Sequence, residues 1–208
     1  MEKMTIKEFK EESNIEIIEA LMKMNNGYIT SKELSSLGIH RMYLNSMWKK
    51  GLVEKVANGI YIDYSKIEDS YYIFSLSMPN TIYSHMTALY FHGLSIIAPN
   101  DKYDITVRKT YNSKHLKNHD VFYVSNDIYE LGLTEVETPM GNKVRAYDIE
   151  RCICDIIRSK NRMDHEHVKY SIKNYIKRKD KDLIKLSKYA DKMGIKKEVM
   201  NFVEMFYE

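Results

Sequence analysis

The punctuation of residues 27–62 limits what this chain can fold into more than any other feature. Gly27, Gly38, Gly51 and the pair Asn58-Gly59 separate short segments whose apolar residues recur first with helical and then with strand period. Thr30 or Ser31 can N-cap a short helix, and Glu33 puts a carboxylate in its first turn, where the helix dipole favours one. Leu34 and Leu37 fall at i, i+3 on one face, and Gly38 supplies the sharp exit of a helix-turn-helix turn. A second helix is expected over about 40–50, with Leu44, Met47 and Trp48 directed to a core and Gly51 as its stop. Residues Leu52–Ala57 then alternate like a strand, Asn58-Gly59 marks a hairpin, and Ile60-Tyr61-Ile62 returns. Helix, turn, helix, strand, turn, strand is the order of a winged helix-turn-helix. A helix of that kind fits a DNA major groove while the hairpin lies on the backbone.

Charge supports a DNA partner only locally. Between Gly38 and Gly59 the cations Arg41, Lys49, Lys50 and Lys55 are opposed by Glu54 alone. Residues 1–79 as a whole carry 10 basic and 11 acidic groups, so affinity for nucleic acid must come from a concentrated patch. Candidate DNA contacts are Thr30, Ser31, His40, Arg41, Tyr43, Asn45, Lys49, Lys50, Lys55 and Asn58. A winged unit that mediates protein–protein contact is the blander reading of the same pattern.

At 208 residues the chain can hold one large domain or two small ones. No apolar run approaches a membrane span and no signal peptide opens the chain, so a cytoplasmic location is expected. Ahead of the winged unit, Ile15, Ile17, Ile18, Leu21, Met22 and Met24 mark an amphipathic helix over about 14–25, preceded by a charged, loosely held segment from Met1 to Glu12. A helix over about 67–77 is followed by Pro79-Asn80, which places the boundary between domains 1–79 and 80–208.

The second domain opens with a helix that Ser84 can cap, carrying Met86, Leu89 and Tyr90 inward to a stop at Gly93. Strand-like runs follow at Tyr103–Arg108, Val121–Val124, Thr134–Thr138 and Lys143–Tyr147, the last two joined as a hairpin through Pro139-Met-Gly-Asn. Asp148 caps a helix through Ile157, and three more are expected at about 164–178, 180–193 and 196–207. The whole therefore reads as α+β: a winged helix-turn-helix, then a small antiparallel sheet leading into a helical bundle. Residues 151–208 carry 15 basic and 9 acidic groups. Lys169, Lys173 and Lys177 repeat at i, i+4, i+8 and, with Arg178 and Lys179, form one basic face. That face is either simply solvated or binds a polyanion.

Little in the sequence points to catalysis. His85 and His92 lie seven residues apart without a supporting carboxylate or thiol, and His165 and His167 diverge on a helix. Cys152 and Cys154 point to different sides of theirs, which argues against a disulfide or a zinc pair and for buried fillers. The run from Asp104 to Lys109 lacks the second acid of a metal-dependent nuclease, and no phosphate-cradling glycine loop or nucleophile elbow is present. Neither a cofactor nor a metal is expected, and no enzymatic activity.

Three motifs in order, Gly27-Tyr-Ile-Thr with Glu33-Leu, Gly38-Ile and Lys50-Gly-Leu-Val-Glu-Lys-Val-Ala-Asn-Gly-Ile-Tyr; Ser84-His-Met-Thr-Ala-Leu-Tyr-Phe-His-Gly-Leu; and Asp148-Ile-Glu-Arg-Cys-Ile-Cys-Asp-Ile-Ile-Arg, together resemble the AbiEi abortive-infection antitoxins. The resemblance implies a type IV toxin–antitoxin system acting in phage defence. It implies an N-terminal domain that binds inverted repeats in its own promoter as a repressor, and a C-terminal domain with the antitoxin activity. The implied partner is a nucleotidyltransferase-like toxin, opposed without a stable complex. The alternative is a stand-alone winged-helix regulator whose C-terminal domain senses a ligand or assembles subunits.

Overall fold

The computed structural model describes residues 6–206, with side chains from residue 13 onward, and the chain divides between Ser77 and Met78 into two compact units. The first unit opens with α1 (Ile6–Met24), β1 (Tyr28–Thr30), α2 (Ser31–Ser36) and α3 (Met42–Lys49). It closes with β2 (Val53–Ala57), β3 (Ile60–Asp63) and α4 (Ser70–Ser77). The first helix is continuous from Ile6 and takes in most of the stretch expected as a separate segment; residues 1–5 of that stretch lie outside the described residues.

The strands form a three-stranded antiparallel sheet in the order β1-β3-β2. Alternation along β3 explains why it is covered on both faces. Tyr61 joins Ile18, Met22, Ile29, Leu34, Ile39, Leu44, Met47 and Val53 in one core. Ile60 and Ile62 join Tyr28 on the opposite face, under Tyr72, Ile73 and Leu76 of α4. Asp69 Oδ1 caps α4 by accepting from the Tyr71 and Tyr72 N–H groups, and its own N–H donates to the Tyr28 hydroxyl at 2.7 Å. In the hairpin, Gly59 has φ +74° and the ladder shifts between Lys55 and Ala57, a bulge that a two-residue Asn-Gly loop accommodates.

The expectation of a buried Trp48 fails, and the apolar Leu37 is also left in solvent. Leu37 is 54% exposed because α2 has ended by that residue, and Ile39 beyond the Gly38 turn fills the core instead. Trp48 is 49% exposed, because Leu44 and Met47 centre the buried face of α3 and leave Trp48 at its edge.

The second unit holds a five-stranded sheet in the order β6-β5-β4-β8-β7. Its elements begin with β4 (Ile82–Tyr83), α5 (His85–Phe91), β5 (Asp104–Arg108) and β6 (Asp120–Val124). They continue with α6 (Asn126–Tyr129), β7 (Leu133–Glu137), β8 (Lys143–Tyr147) and α7 (Ile149–Arg158). The chain ends in α8 (His165–Lys177), α9 (Leu183–Lys192) and α10 (Lys196–Glu204). The β7–β8 hairpin forms as read, pairing Glu137 with Lys143. The sheet is mixed, not antiparallel as expected: β5 runs parallel to β6, and β4 runs parallel to β8. The two-residue β4, too short to show a period, joins the halves by pairing with β5 on one side and β8 on the other.

Helix α7 is the centre of this unit, and residues Glu150 to Ile157 are all buried. Asp148 caps it as expected, its Oδ1 accepting from the Arg151 N–H at 2.9 Å. Arg151 is fully buried and donates from Nε to both oxygens of Asp155 at 3.1 Å. Its Nη1 donates to the carbonyls of Ile128 and Leu131 at 2.6 and 2.8 Å, and the guanidinium lies over the Tyr147 ring. Gly132 makes room for this side chain: a Cβ there would stand 2.6 Å from Arg151 Cβ, on a backbone with φ +76°. At the start of α7, Lys185 of α9 bridges Asp148 and Glu150 at 3.0 and 3.2 Å.

At α5 the expected Ser84 side-chain cap is absent, and Asp104 of β5 replaces it, Oδ2 accepting from the Met86 N–H at 3.0 Å. His85, Thr87, Ala88 and Leu89 are the buried members of this helix, while Met86 and Tyr90 are half-buried.

Arg151→Ala should destabilise the second unit by about 3–5 kcal/mol in chemical denaturation, since it strands a buried carboxylate. Replacing both partners, as Arg151→Met with Asp155→Leu, should recover most of that loss; a double variant no better than the single one would contradict it. A second outcome follows from Asp104, whose carboxyl is raised from 3.8 to about 7, first by burial and then by Asp120. A raised acid favours the protonated fold, so its contribution is complete below about pH 3.8 and is lost as pH rises through about 7. Asp104→Asn should therefore flatten the fall in unfolding free energy between about pH 4 and 7.

Candidate nucleic-acid interface

Helix α3 presents a polar face because its apolar side chains are few and close together. Leu44 and Met47 are buried and Tyr43 is half-buried against the same core, which turns Arg41, Asn45 and Lys49 outward at four-residue spacing. Arg41 and Lys49 are exposed and, with Lys50 and Lys55, make no ion pair among the described residues. Asn45 is exposed but oriented, its Oδ1 accepting from the Tyr61 hydroxyl at 3.2 Å. His40 Nδ1 accepts from the Met42 N–H at 3.2 Å and so serves the start of α3. Met42, 59% exposed, shares the outer face; as an apolar residue in a polar set it carried no signal in the sequence.

Thr30 and Ser31 hold this surface together. Thr30 Oγ1 accepts from the Glu33 N–H at 3.0 Å and is the N-cap of α2. The Ser31 N–H donates to the Gly59 carbonyl at 2.7 Å, tying the start of α2 to the hairpin tip. Lys55 and Asn58 are exposed on that hairpin.

In the second unit the basic face forms on α8 as spaced in the sequence. Lys169, Lys173 and Lys177 are exposed, opposite the buried Val168, Ile172, Tyr175 and Ile176. The face is partly neutralised: Lys169 pairs with Glu166 at 2.9 Å and Arg178 with Asp180 at 2.6 Å, which leaves Lys173, Lys177 and Lys179. His167 lies 3.9 Å from the capping Asp164. His92 donates to the Tyr147 carbonyl at 2.8 Å. Cys152 and Cys154 are free and buried. Burial pushes both thiols up, so neither is a ready nucleophile. Among the described residues no three His, Cys, Asp or Glu side chains are grouped to hold a metal ion, and no helix is long and apolar enough to cross a membrane.

An exposed cationic helix face on a unit of short helices and a small antiparallel sheet defines the class: an α+β protein with an N-terminal helix-turn-helix. Residues 16–62 match the family model described as "Transcriptional regulator, AbiEi antitoxin". The match upholds the resemblance to the AbiEi antitoxins over the segment that carries α2, α3 and the hairpin, and its description is of a regulator and antitoxin, not of an enzyme. No curated protein matches the sequence. Among solved structures, the RV2827C protein from Mycobacterium tuberculosis is similar at 11% identity, covering 90% of this chain and 79% of that one with a TM-score of 0.48.

Proposed function

We propose that the protein is the antitoxin of a type IV toxin–antitoxin pair and represses its own operon by binding inverted repeats in the promoter. One observation carries the DNA-binding half: Arg41, Asn45 and Lys49 stand exposed in register on α3, in the segment that matches the AbiEi regulators. Helix α3 lies in the major groove as the recognition helix, and the β2–β3 hairpin with Lys55 and Asn58 is the wing on the backbone. An arginine and an asparagine on one face are suited to guanine and adenine edges, and Met42 beside them to a thymine methyl. Inverted repeats take two copies of the chain, one on each half-site.

Residues 1–79 do the DNA binding in this reading, and residues 80–208 oppose the toxin. The toxin is nucleotidyltransferase-like and is opposed without a stable complex. A stand-alone regulator with a sensing C-terminal domain is favoured by one observation, a cavity in the second unit lined by His85, Arg158 and Arg162. Co-expression separates the two: growth protection against the toxin with no complex on pull-down supports the antitoxin, and absence of protection supports the regulator.

Arg41→Ala and Lys49→Ala should each weaken operator binding in gel shifts, by about 1–3 kcal/mol where the contact is bidentate to a base. A contact to phosphate alone should weaken every sequence alike and reduce the salt slope by about one unit. Affinities unchanged in both variants, with melting intact, would remove α3 from the interface.

A further inference from the structure

The second unit contains a cavity of about 360 Å³ lined by His85, Phe122, Arg158, Ser159, Asn161 and Arg162 among others. From this arrangement we infer that the cavity binds a small phosphate ester, its phosphoryl group held between the guanidiniums of Arg158 and Arg162. The inference goes beyond the DNA-binding reading and does not depend on it, because every residue involved lies in the second unit.

Charge is the first support. Arg158 and Arg162 are exposed at the cavity and neither forms an ion pair among the described residues. The carboxylate in the cavity wall, Asp155, accepts from Arg151 Nε through both oxygens. Arg158 feels the Asp155 carboxylate through space, but neither guanidinium at the cavity is in a close ion pair among the described residues. Planar guanidiniums suit the tetrahedral oxygens of a phosphoryl group, which they bind bidentately. Arg162 is already placed, stacked 4.4 Å over the Phe122 ring, so little side-chain freedom is left to lose on binding.

The wall behind the arginines is the second support. His85 is 2% exposed and has φ +47°, a left-handed backbone that a bulky residue adopts only when its surroundings impose it. Its ring stacks on Phe122 with centroids 3.4 Å apart. Nδ1 lies 2.9 Å from Ser84 Oγ, which accepts from the Thr106 hydroxyl at 2.9 Å, and Nε2 lies 3.1 Å from Ser159 Oγ. This buried chain of hydrogen bonds ends at Ser159, a half-buried hydroxyl on the cavity wall. Burial and the nearby Arg151, Arg162 and Arg158 keep the imidazole neutral, as expected where positive potential is in excess.

Size decides what accompanies the phosphoryl group. A volume of about 360 Å³ exceeds a bare phosphate and falls at the small end of ligand pockets. The remaining volume beside the arginines admits a ribose or a similarly small group on the phosphate. The shared chemistry is the phosphate monoester; a nucleotide and a sugar phosphate are its two sources.

The test is calorimetric titration of the full chain with adenosine monophosphate, ribose 5-phosphate and adenosine. One site per chain is expected for both phosphate esters, and none for adenosine. Tighter binding of the nucleotide assigns a nucleotide, and equal binding assigns a sugar phosphate; both support the phosphoryl site. Arg158→Gln with Arg162→Gln should weaken binding ~10-fold or more while Lys169→Gln, Lys173→Gln and Lys177→Gln leave it unchanged. Should the double glutamine variant not fold, Arg162→Gln alone replaces it, and the His85 imidazole resonances of the native chain should shift on titration while those of His165 stay fixed. No binding at millimolar ester, or binding that adenosine matches or that survives loss of both arginines, overturns the inference. Operator affinity in gel shifts is measured alongside, so that failure here is distinct from failure of the DNA-binding reading.

Discussion

A fully buried arginine can stay charged only if every direction around it is filled with acceptors, and Arg151 comes close to that condition. Asp155 takes Nε, two backbone carbonyls take Nη1, and the Tyr147 ring covers the guanidinium plane. Nη2 alone has no hydrogen-bond partner. The requirement fixes much of the unit around it. The carbonyls of Ile128 and Leu131 must point inward, which sets the loop between α6 and β7. Gly132 must lack a side chain, and Tyr147 must end β8 with its ring under the guanidinium. Tyr147 is itself pinned by donating its hydroxyl to the Tyr129 carbonyl at 2.6 Å. Strand, loop and helix are thus positioned by one cation. Such a pair adds less to net stability than to uniqueness, because desolvating both ions offsets most of their attraction.

The first unit solves a different problem with apolar packing alone. A three-stranded sheet of short strands is marginal by itself, and covering both faces makes it a platform. Helices α1 to α3 take one face and α4 the other, so that α3 is held by Leu44 and Met47 while its outer side chains carry no packing duty. The freedom of Arg41 and Lys49 to meet a ligand follows from the small number of residues that anchor the helix. The same economy leaves Trp48 and Met42 in solvent, where aromatic and thioether groups are uncommon without a partner to cover them.

Much of this was legible in the residues, and the exceptions share a cause. Period, caps and turn residues located α2, α3, the Asn58-Gly59 hairpin, the β7–β8 hairpin, and α7 with its Asp148 cap, since each is encoded locally. The two-residue β4 and the three-residue β1 have no period to detect, and with β4 missed the mixed character of the second sheet could not be seen. The Asp104 cap on α5 is supplied from another strand, and no local rule reaches it. On the site side, the spacing of Arg41, Asn45 and Lys49 was readable. The pairing of Lys169 with Glu166 follows from their i, i+3 spacing on α8. The meeting of His85 with Ser159 and Arg162 joins positions more than seventy residues apart in sequence, and only the fold brings them together.

The two positive regions of the second unit differ in what their charge can accomplish. On α8 the lysines project into water, where the field of each is screened within about 8 Å at physiological salt. Two of the basic groups on that face are already answered by neighbouring carboxylates. Arg158 and Arg162 instead line a concavity whose wall is the buried, neutral His85 and the Phe122 ring, matter of low polarisability that does not screen as water does. The same number of charges therefore produces a stronger and more directional field in the cavity than on the helix. The His85 imidazole is kept neutral first by burial, then by Arg151, Arg162 and Arg158. An anion entering the cavity meets positive charge before it meets solvent competition, whereas one approaching α8 must displace counter-ions from each lysine in turn. The concave arrangement thus favours a small anion, whereas the lysines of α8 act as separate, screened charges on a solvated face.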